Sequence, residues 1–299
     1  MRICTSLTLG LVLLLTHAVA SAQDKYFDSQ GVRVRFVDQG SGERIILLHG
    51  YTSTIERAWV DTGVLPNLAK DHRVITFDLR GHGKSGKPRD SAAYGEEMAQ
   101  DVVRLLDHLR LPRAHIVGYS LGAIITAKLL TTNPERFITA TLSGHSGVRS
   151  WTARNEAAAQ AAADEMEHGI PFRGLILAIA PTDEPRPSEE AIRQRSQQLV
   201  AVNDPLGLAA YNRQRRELVV TNSAMAAIRV PLLGIIGSAD ASIEGMKELR
   251  TINPALQLVV LDGAVHSTAS EGGTLRRPEF ADAIRAFVAA HRSRVGQQQ

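Results

Sequence analysis

A serine flanked by glycines stands where an apolar strand passes into a helical segment, and this feature constrains the fold most. Residues 114–123 read AHIVGYSLGA, with Gly118, Ser120 and Gly122 at the transition. A G-x-S-x-G pattern between a strand and a helix is typical of a tight turn that raises a nucleophilic serine above the end of a sheet. The turn brings Gly118 and Gly122 close together, so side chains there must be tiny. It is expected to strain the backbone at Ser120 and to place its hydroxyl near the N–H groups and the positive dipole end of a helix.

Short apolar strands alternate with helical segments along most of the chain. Strands are predicted at 44–48, 73–78, 115–118, 137–142, 232–236 and 256–261, and helices at 94–109, 121–132, 243–251 and 278–290. This alternation predicts an α/β fold, with a mostly parallel sheet and helices on both faces. Residues 32–37 have the alternating pattern expected of an edge strand, and residues 58–70 have helical periodicity.

Residues 145–222 interrupt the alternation. They contain no convincing strand and instead hold Ala-rich and Arg/Gln-rich helical stretches at about 155–168, 189–202 and 208–219. We therefore predict a helical cap over residues 145–225. It would be inserted between the two parts of an α/β core, 23–144 and 226–299.

The first 22 residues have the pattern of a secretory signal peptide. Arg2 precedes an apolar run at 7–15, and Ala20-Ser21-Ala22 fits a cleavage site. The run is shorter than the roughly 20 residues that a membrane-spanning helix needs. The sequence therefore predicts a secreted or periplasmic protein, cleaved near Ala22 and without stable membrane insertion afterwards. The one cysteine, Cys4, would be removed, which excludes cysteine catalysis in the mature chain.

The charge distribution argues against a nucleic-acid partner. The formal net charge is +3, and it becomes +2 when the signal peptide leaves with its one charged residue, Arg2. No nucleic-acid motif and no basic stretch with interleaved aromatic residues is present. Two small basic groups are interpreted as solvated faces of surface helices: Arg193 with Arg195, and Arg213 with Arg215 and Arg216.

A serine hydroxyl needs a base that takes its proton and an acid that orients the base. Asp240 and His266 each follow a predicted strand of the second core part, so they should lie at the sheet edge where α/β folds bind ligands. We predict His266 as the base and Asp240 as the acid, in the chain order Ser120, Asp240, His266. Asp262 is the rival acid, but it lies only four residues before His266 and is expected to shape that loop.

The tetrahedral intermediate of acyl transfer needs preformed N–H donors around its oxyanion. The predicted donors are the backbone N–H of Leu121, directly after the serine, and that of Tyr51, in the loop after the strand at 44–48. His49 in the same loop is expected to hold it by hydrogen bonds rather than to transfer protons. This chemistry needs no metal and no cofactor.

Together these motifs resemble the α/β-hydrolase-fold superfamily, in its serine esterase and lipase-like branch with a helical cap. The matching pieces extend over about residues 30–290: His49-Gly50, Asp78 to Ser85, Gly118 to Gly122, Gly237 with Asp240, and Gly263 with His266. The resemblance implies the α/β-hydrolase fold and a structural, non-catalytic loop at 78–85. Haloalkane dehalogenases and epoxide hydrolases of this superfamily carry an aspartate at the turn, so Ser120 in that place favours acyl chemistry.

The function predicted from these residues is serine hydrolysis, with a carboxylic ester or other small acyl compound as the substrate. The same three side chains could also cleave a lactone, an amide, a thioester or a carbon–carbon bond beside a ketone, or pass the acyl group to peroxide. An alternative of a different class is a ligand-binding protein without turnover. Trp59 and Trp151 are candidates for the pocket wall, but they are interpreted as packing residues.

Overall fold

The structure, a computed structural model, describes residues 24–178, 185–267 and 270–292, and the predicted signal peptide lies outside them. Its centre is an eight-stranded sheet in the order β1-β2-β4-β3-β5-β6-β7-β8. The strands are β1 Lys25–Ser29, β2 Val32–Gln39, β3 Arg44–Leu48, β4 Arg73–Phe77, β5 Ala114–Tyr119, β6 Phe137–Ser143, β7 Leu232–Gly237 and β8 Gln257–Leu261. The pairs β1–β2 and β2–β4 are antiparallel and the remaining pairs are parallel, which confirms the predicted mostly parallel sheet.

Helices cover both faces of this sheet. The described α-helices are α1 Val64–Leu68, α2 Glu96–His108, α3 Leu121–Thr132, α4 Ala153–His168, α5 Arg173–Ala178, α6 Glu189–Val200, α7 Pro205–Gln214, α8 Asn222–Ala227, α9 Ile243–Ile252 and α10 Pro278–Ala290. Alternate residues of β3 point to opposite faces, because side chains alternate along a strand. Ile46 and Leu48 pack with α2, α3, α8 and α9, whereas Ile45 and Leu47 pack with α1 and α10.

Two of the secondary-structure predictions are wrong. The strand predicted at the sheet edge, β2, is the second strand, because β1 pairs with it across a tight turn at Gln30 and Gly31 (φ 52° and 80°). The alternating pattern reports one solvated face and does not reveal whether a neighbouring strand is present. The helix predicted over 58–70 is broken at Gly63 (φ 81°) into a π-helical turn, Glu56–Val60, and the short α1.

Helices α4 to α8 follow β6 and precede β7, where the helical insertion is expected. The short helices α5 and α8 were not predicted. The insertion has an apolar cluster of its own, formed by Ala163, Met166, Phe172, Ile176, Ile192, Leu199, Leu208 and Ala209. Met225 of α8 packs instead in the cluster of the main sheet. The separate cluster supports the predicted division into a core and a cap. The boundaries of the cap, residues 145–225, stay a prediction.

Candidate active site

The turn between β5 and α3 has the tight geometry expected from its glycines. Ser120 has φ 54° and ψ −111°, a conformation that costs energy for a residue with a side chain. Its N–H donates to the carbonyl of Ser143 on β6 at 2.8 Å, which holds the turn against the neighbouring strand. A Cβ atom on Gly118 would lie 2.2 Å from the Gly122 carbonyl oxygen, and one on Gly122 would lie 2.1 Å from the Leu48 carbonyl oxygen. Both positions therefore have room only for glycine.

Replacing Gly122 with alanine should destabilise the protein by about 1–3 kcal/mol or more, since the new methyl group would overlap backbone that cannot move aside. Urea unfolding of the two proteins measures this difference. Gly272→Ala is the matched control, because a Cβ there meets nothing closer than 4.0 Å. Equal free energies of unfolding for both variants would show that the turn is not closely packed.

The structure brings Ser120, His266 and Asp240 into one hydrogen-bonded chain. His266 Nε2 lies 3.0 Å from Ser120 Oγ, and His266 Nδ1 lies 2.9 Å from Asp240 Oδ2. A carboxylate only accepts, so Nδ1 carries the proton and Nε2 can accept the Ser120 hydroxyl proton. The Asp240 side chain is fully buried and its Oδ1 accepts from the Ser242 N–H at 2.8 Å. The arrangement can therefore deprotonate a serine as it attacks an electrophile.

Neighbouring groups that were not predicted from the sequence hold the His266 ring in place. The Tyr119 ring lies 5.2 Å from it, and a Cβ on Gly144 (φ 65°) would lie only 3.0 Å from His266 Cε1. His145 lies next along the chain, and burial, with the nearby charges of His266 and Arg149, lowers its pKa to about 4. It is therefore neutral near pH 7 and adds no positive charge beside His266.

The rival acid, Asp262, belongs to the loop rather than to the hydrogen-bonded chain. Its Oδ1 accepts from Ser238 Oγ at 3.1 Å, and its carbonyl oxygen accepts from Arg277 Nη2 at 2.8 Å. These contacts tie together the segments that follow β7 and β8. Asp262 thus has the loop-shaping position that was expected of it.

The two predicted oxyanion donors flank Ser120. Leu121 is the first residue of α3, where the first N–H groups of a helix have no partner inside the helix. Tyr51 lines the same cavity as Ser120, and its neighbour Gly50 is so close that a Cβ there would lie 3.2 Å from Ser120 Cβ. The role of both N–H groups stays a prediction. The Tyr51 hydroxyl accepts from Asn212 of α7 at 3.3 Å, which connects this loop to the helical insertion.

Hydrogen bonds fix the two loops that carry the remaining motifs. The fully buried His49 donates from Nδ1 to the Gly50 carbonyl (2.8 Å) and accepts at Nε2 from the Leu79 N–H (3.1 Å). Burial lowers the pKa of His49, so the ring stays neutral. The buried Asp78 accepts from three donors of the surrounding segments, namely Ile55 N–H, Lys84 N–H and Arg35 Nη1. Structural roles were expected for His49 and for the loop that begins at Asp78, and these hydrogen bonds hold the two loops in place.

A cavity of about 200 Å³ opens above Ser120 and His266. Its walls come from the loop after β3, from the π-helical turn and from the insertion, including Tyr51, Thr52, Arg57, Leu175, Arg195 and Leu199. Neither tryptophan lines it. Trp59 is fully buried in the core, in agreement with the packing interpretation, whereas Trp151 is partly exposed and donates from Nε1 to Glu156 at 2.6 Å. Three of the wall residues, Arg57, Leu175 and Leu199, were not predicted from the sequence.

The interpretation of Arg193 with Arg195 as one solvated face is wrong for Arg195. Residues two apart on a helix point to different sides, whereas residues three and four apart share a side. Arg193 is exposed, but Arg195 lies on the same side of α6 as the buried Ile192 and Leu199 and is only partly exposed. The sequence did contain a signal for the position of Arg195 at the cavity. This charged residue has the helical spacing that places it beside the apolar Ile192 and Leu199.

Within the three described segments, no cluster of three or more His, Cys, Asp or Glu side chains is suited to a metal ion. The same segments contain no helix with the length and apolar character needed to cross a membrane.

Known proteins resemble less than half of this chain in sequence. Residues 43–166 match the family model described as "alpha/beta hydrolase fold". The chain is 33% identical over 124 residues to the dihydrolipoyllysine-residue acetyltransferase component of the acetoin cleaving system of Cupriavidus necator, covering 41% of this chain. It is 34% identical over 119 residues to 2-hydroxymuconate semialdehyde hydrolase of a Pseudomonas species, covering 40% of this chain. These matches span only 32% and 42% of the relatives' own lengths.

Solved structures match the chain over nearly all of its length. An esterase from Thermogutta terrifontis has a TM-score of 0.72 and 23% identity, and the match covers 91% of this chain and 100% of that chain. Epoxide hydrolase A from Mycobacterium thermoresistibile has a TM-score of 0.70 and 21% identity, with 91% and 99% covered. At these identities the likeness establishes the fold. The strand order, the family match over residues 43–166 and these structures together show that the chain has the α/β-hydrolase fold, as the motifs predict.

Proposed function

We propose that this chain is an exported serine hydrolase that cleaves carboxylic esters through an acyl-enzyme intermediate. The observation that carries the proposal is the continuous hydrogen-bonded chain from Asp240 through His266 to Ser120 at the strained turn. A hydroxyl within 3.0 Å of an imidazole nitrogen, itself oriented by a buried carboxylate, has the geometry of an activated nucleophile.

In the first half of the proposed reaction, Ser120 Oγ attacks the ester carbonyl while His266 Nε2 accepts the hydroxyl proton. The imidazolium that forms is stabilised by the Asp240 carboxylate at Nδ1. The oxyanion accepts hydrogen bonds from the Tyr51 and Leu121 N–H groups. The tetrahedral intermediate collapses, His266 returns its proton to the leaving alcohol, and Ser120 carries the acyl group.

In the second half, water replaces the alcohol as the reactant. His266 Nε2 takes a proton from the water as its oxygen attacks the acyl carbon, and the same two N–H groups hold the second oxyanion. Collapse of this intermediate returns the proton to Ser120 Oγ and releases the carboxylic acid. No other reactant is consumed.

The identity of the nucleophile, a serine, favours ester substrates over epoxides. Epoxide hydrolases of this superfamily use an aspartate at the turn, whereas this chain has Ser120 there. Esterases are among the proteins that share its fold. The export part of the proposal rests on the signal-peptide pattern of residues 1–22.

The size of the cavity predicts a preference for short acyl chains. Its volume of about 200 Å³ is below the roughly 300–1,000 Å³ of typical small-molecule sites. Rates of hydrolysis of 4-nitrophenyl esters from acetate to palmitate should therefore be highest at the short end and decline steeply towards palmitate. A maximum at palmitate would contradict this account of the cavity.

A folded protein that turns over none of these esters would refute the ester proposal and direct the search to lactone, amide or carbon–carbon substrates. Labelling by a fluorophosphonate without turnover of any acyl substrate would instead support a ligand-binding protein.

A further inference from the structure

We propose that the cavity above Ser120 binds a carboxylate group of its substrate through Arg57 and Arg195, so that the preferred substrate is an ester carrying a negative charge. This inference rests on the proposed function, because it assigns a substrate class to the same site. It depends on two cationic side chains that line the cavity together with Ser120 and His266.

Both arginines are partly buried, and their hydrogen bonds go to uncharged acceptors. Arg57, in the π-helical turn Glu56–Val60, reaches the Thr52 carbonyl oxygen at 3.5 Å, the limit of a hydrogen bond. Arg195, on α6, donates to Gln198 Oε1 at 2.9 Å. Neither guanidinium forms an ion pair with any carboxylate of the described residues.

Several other partly or fully buried arginines of this chain are bound to carboxylates. Each of three examples donates two hydrogen bonds to one carboxylate: Arg73 to Asp38, Arg80 to Asp101 and Arg213 to Glu167. Pairing with a carboxylate is thus common in this fold, although the partly buried Arg44, Arg215 and Arg277 also form no ion pair among the described residues. The two cavity arginines differ from those three in their place, because they line the cavity that contains Ser120 and His266.

The two positive charges also act on each other. Burial and then the charge of Arg195 lower the pKa of Arg57, so the pair is held together at an electrostatic cost. The exposed Asp61 favours the charged form of Arg57, but it forms no ion pair with it. The neighbouring acid Glu56 is already bound to Arg35. A bound anion would offset the repulsion between Arg57 and Arg195, which neither Asp61 nor Glu56 neutralises by an ion pair.

A carboxylate fits this site by shape as well as by charge. A guanidinium presents parallel N–H donors that match the two oxygens of a carboxylate. Arg195 belongs to the insertion and Arg57 to the core, so an anion between them would contact both parts. The small cavity leaves room for only a short chain between the reacting carbonyl and the carboxylate.

The test compares esters that differ only in charge. Mono-4-nitrophenyl adipate and 4-nitrophenyl 6-methylheptanoate carry a carboxylate and an isopropyl group of similar shape on the acyl side. The acetate esters of 4-hydroxybenzoic acid and 4-isopropylphenol carry the same two groups, a carboxylate and an isopropyl group, on the alcohol side. We expect kcat/KM to favour the anionic member of at least one pair by about 10-fold or more, the size of a charge-assisted hydrogen bond in a partly buried site.

Substitutions assign that preference to the two arginines. Arg57→Gln and Arg195→Gln should each lower the anionic-to-neutral ratio of kcat/KM by about 10-fold, and Arg195→Lys should restore part of it. Arg193→Gln is the matched control, since this exposed arginine on the same helix lies outside the cavity. A ratio near one in the unmodified protein, or an equal loss in the control, would overturn the inference.

Binding separates this inference from the proposed function. Calorimetry with adipate and the Ser120→Ala protein needs no turnover. Adipate binding that Arg195→Gln weakens, without Ser120-dependent ester hydrolysis, would keep the anion site and refute the esterase. Ester hydrolysis without charge preference and without adipate binding would keep the esterase and refute the anion site.

Discussion

Replacing Ser120 with alanine should lower kcat/KM for 4-nitrophenyl acetate by about 10⁴-fold or more, because no other group can form the acyl-enzyme. The loss should appear in kcat, since the alanine removes a bond that forms in the transition state rather than a contact with the bound ester. Initial rates over a range of ester concentrations separate the two constants. The His266 ring should keep its contacts with Asp240 and Tyr119, so the folded state should persist.

The matched control for this substitution is Ser223→Ala, which removes an exposed serine hydroxyl on α8, far along the chain from the site. Its rate constants should equal those of the unmodified protein. Thermal unfolding of all three proteins verifies that they are folded. Substantial hydrolysis by a folded Ser120→Ala protein would mean that another nucleophile performs the reaction.

Replacing Asp240 with asparagine should lower kcat by about 10³–10⁴-fold. The amide nitrogen would donate where the carboxylate accepts, so His266 would lose the proton on Nδ1 and turn a protonated Nε2 towards Ser120. The imidazolium formed during the attack would also lose its counter-charge. Ester hydrolysis under saturating substrate measures the effect.

Asp262→Asn is the control for Asp240, because both are carboxylates that follow neighbouring strands. Asp262 bonds to Ser238 and Arg277 rather than to His266, and its replacement should change kcat by less than about 10-fold. A larger loss at Asp262 than at Asp240 would assign the acid to Asp262. Equal large losses, with both proteins folded, would show that the two carboxylates do not have distinct roles.

The geometry of the candidate site follows from parallel pairing. Ser120 follows β5, Asp240 follows β7 and His266 follows β8, and these strands run in the same direction in one sheet. Their carboxyl ends therefore meet at one edge, although the residues are far apart in sequence. Tyr51 follows β3, which pairs in parallel with β5, and so reaches the same edge.

The parts of the fold that could be predicted from the sequence are those specified locally. The turn at Ser120 requires Gly118 and Gly122, and buried parallel strands read as continuous apolar runs. The chain order of Ser120, Asp240 and His266 needed only strand ends to be recognised. The start and end of α3 were predicted for the same reason, because the turn begins it and Asn133-Pro134 ends it.

The parts that could not be predicted depend on distant contacts. Strand β1 has the sequence KYFDS, whose strand character comes from pairing with β2 rather than from its own composition. The helical insertion has few apolar residues per turn, so its facing surfaces could not be assigned. Arg57 and Arg195 meet in the cavity only after the insertion has packed on the core, and neither belongs to a recognised motif.

The central claim is a covalent acyl-enzyme on Ser120, and trapping that intermediate tests it most directly. The protein is mixed with excess 4-nitrophenyl acetate, quenched in acid during turnover, digested and analysed by mass spectrometry. We predict an acetyl group on the peptide that contains Ser120, with none on the same peptide of the Ser120→Ala protein. Acetylation of a different residue, or rapid hydrolysis with no acetylated Ser120 at any quench time, would contradict the account.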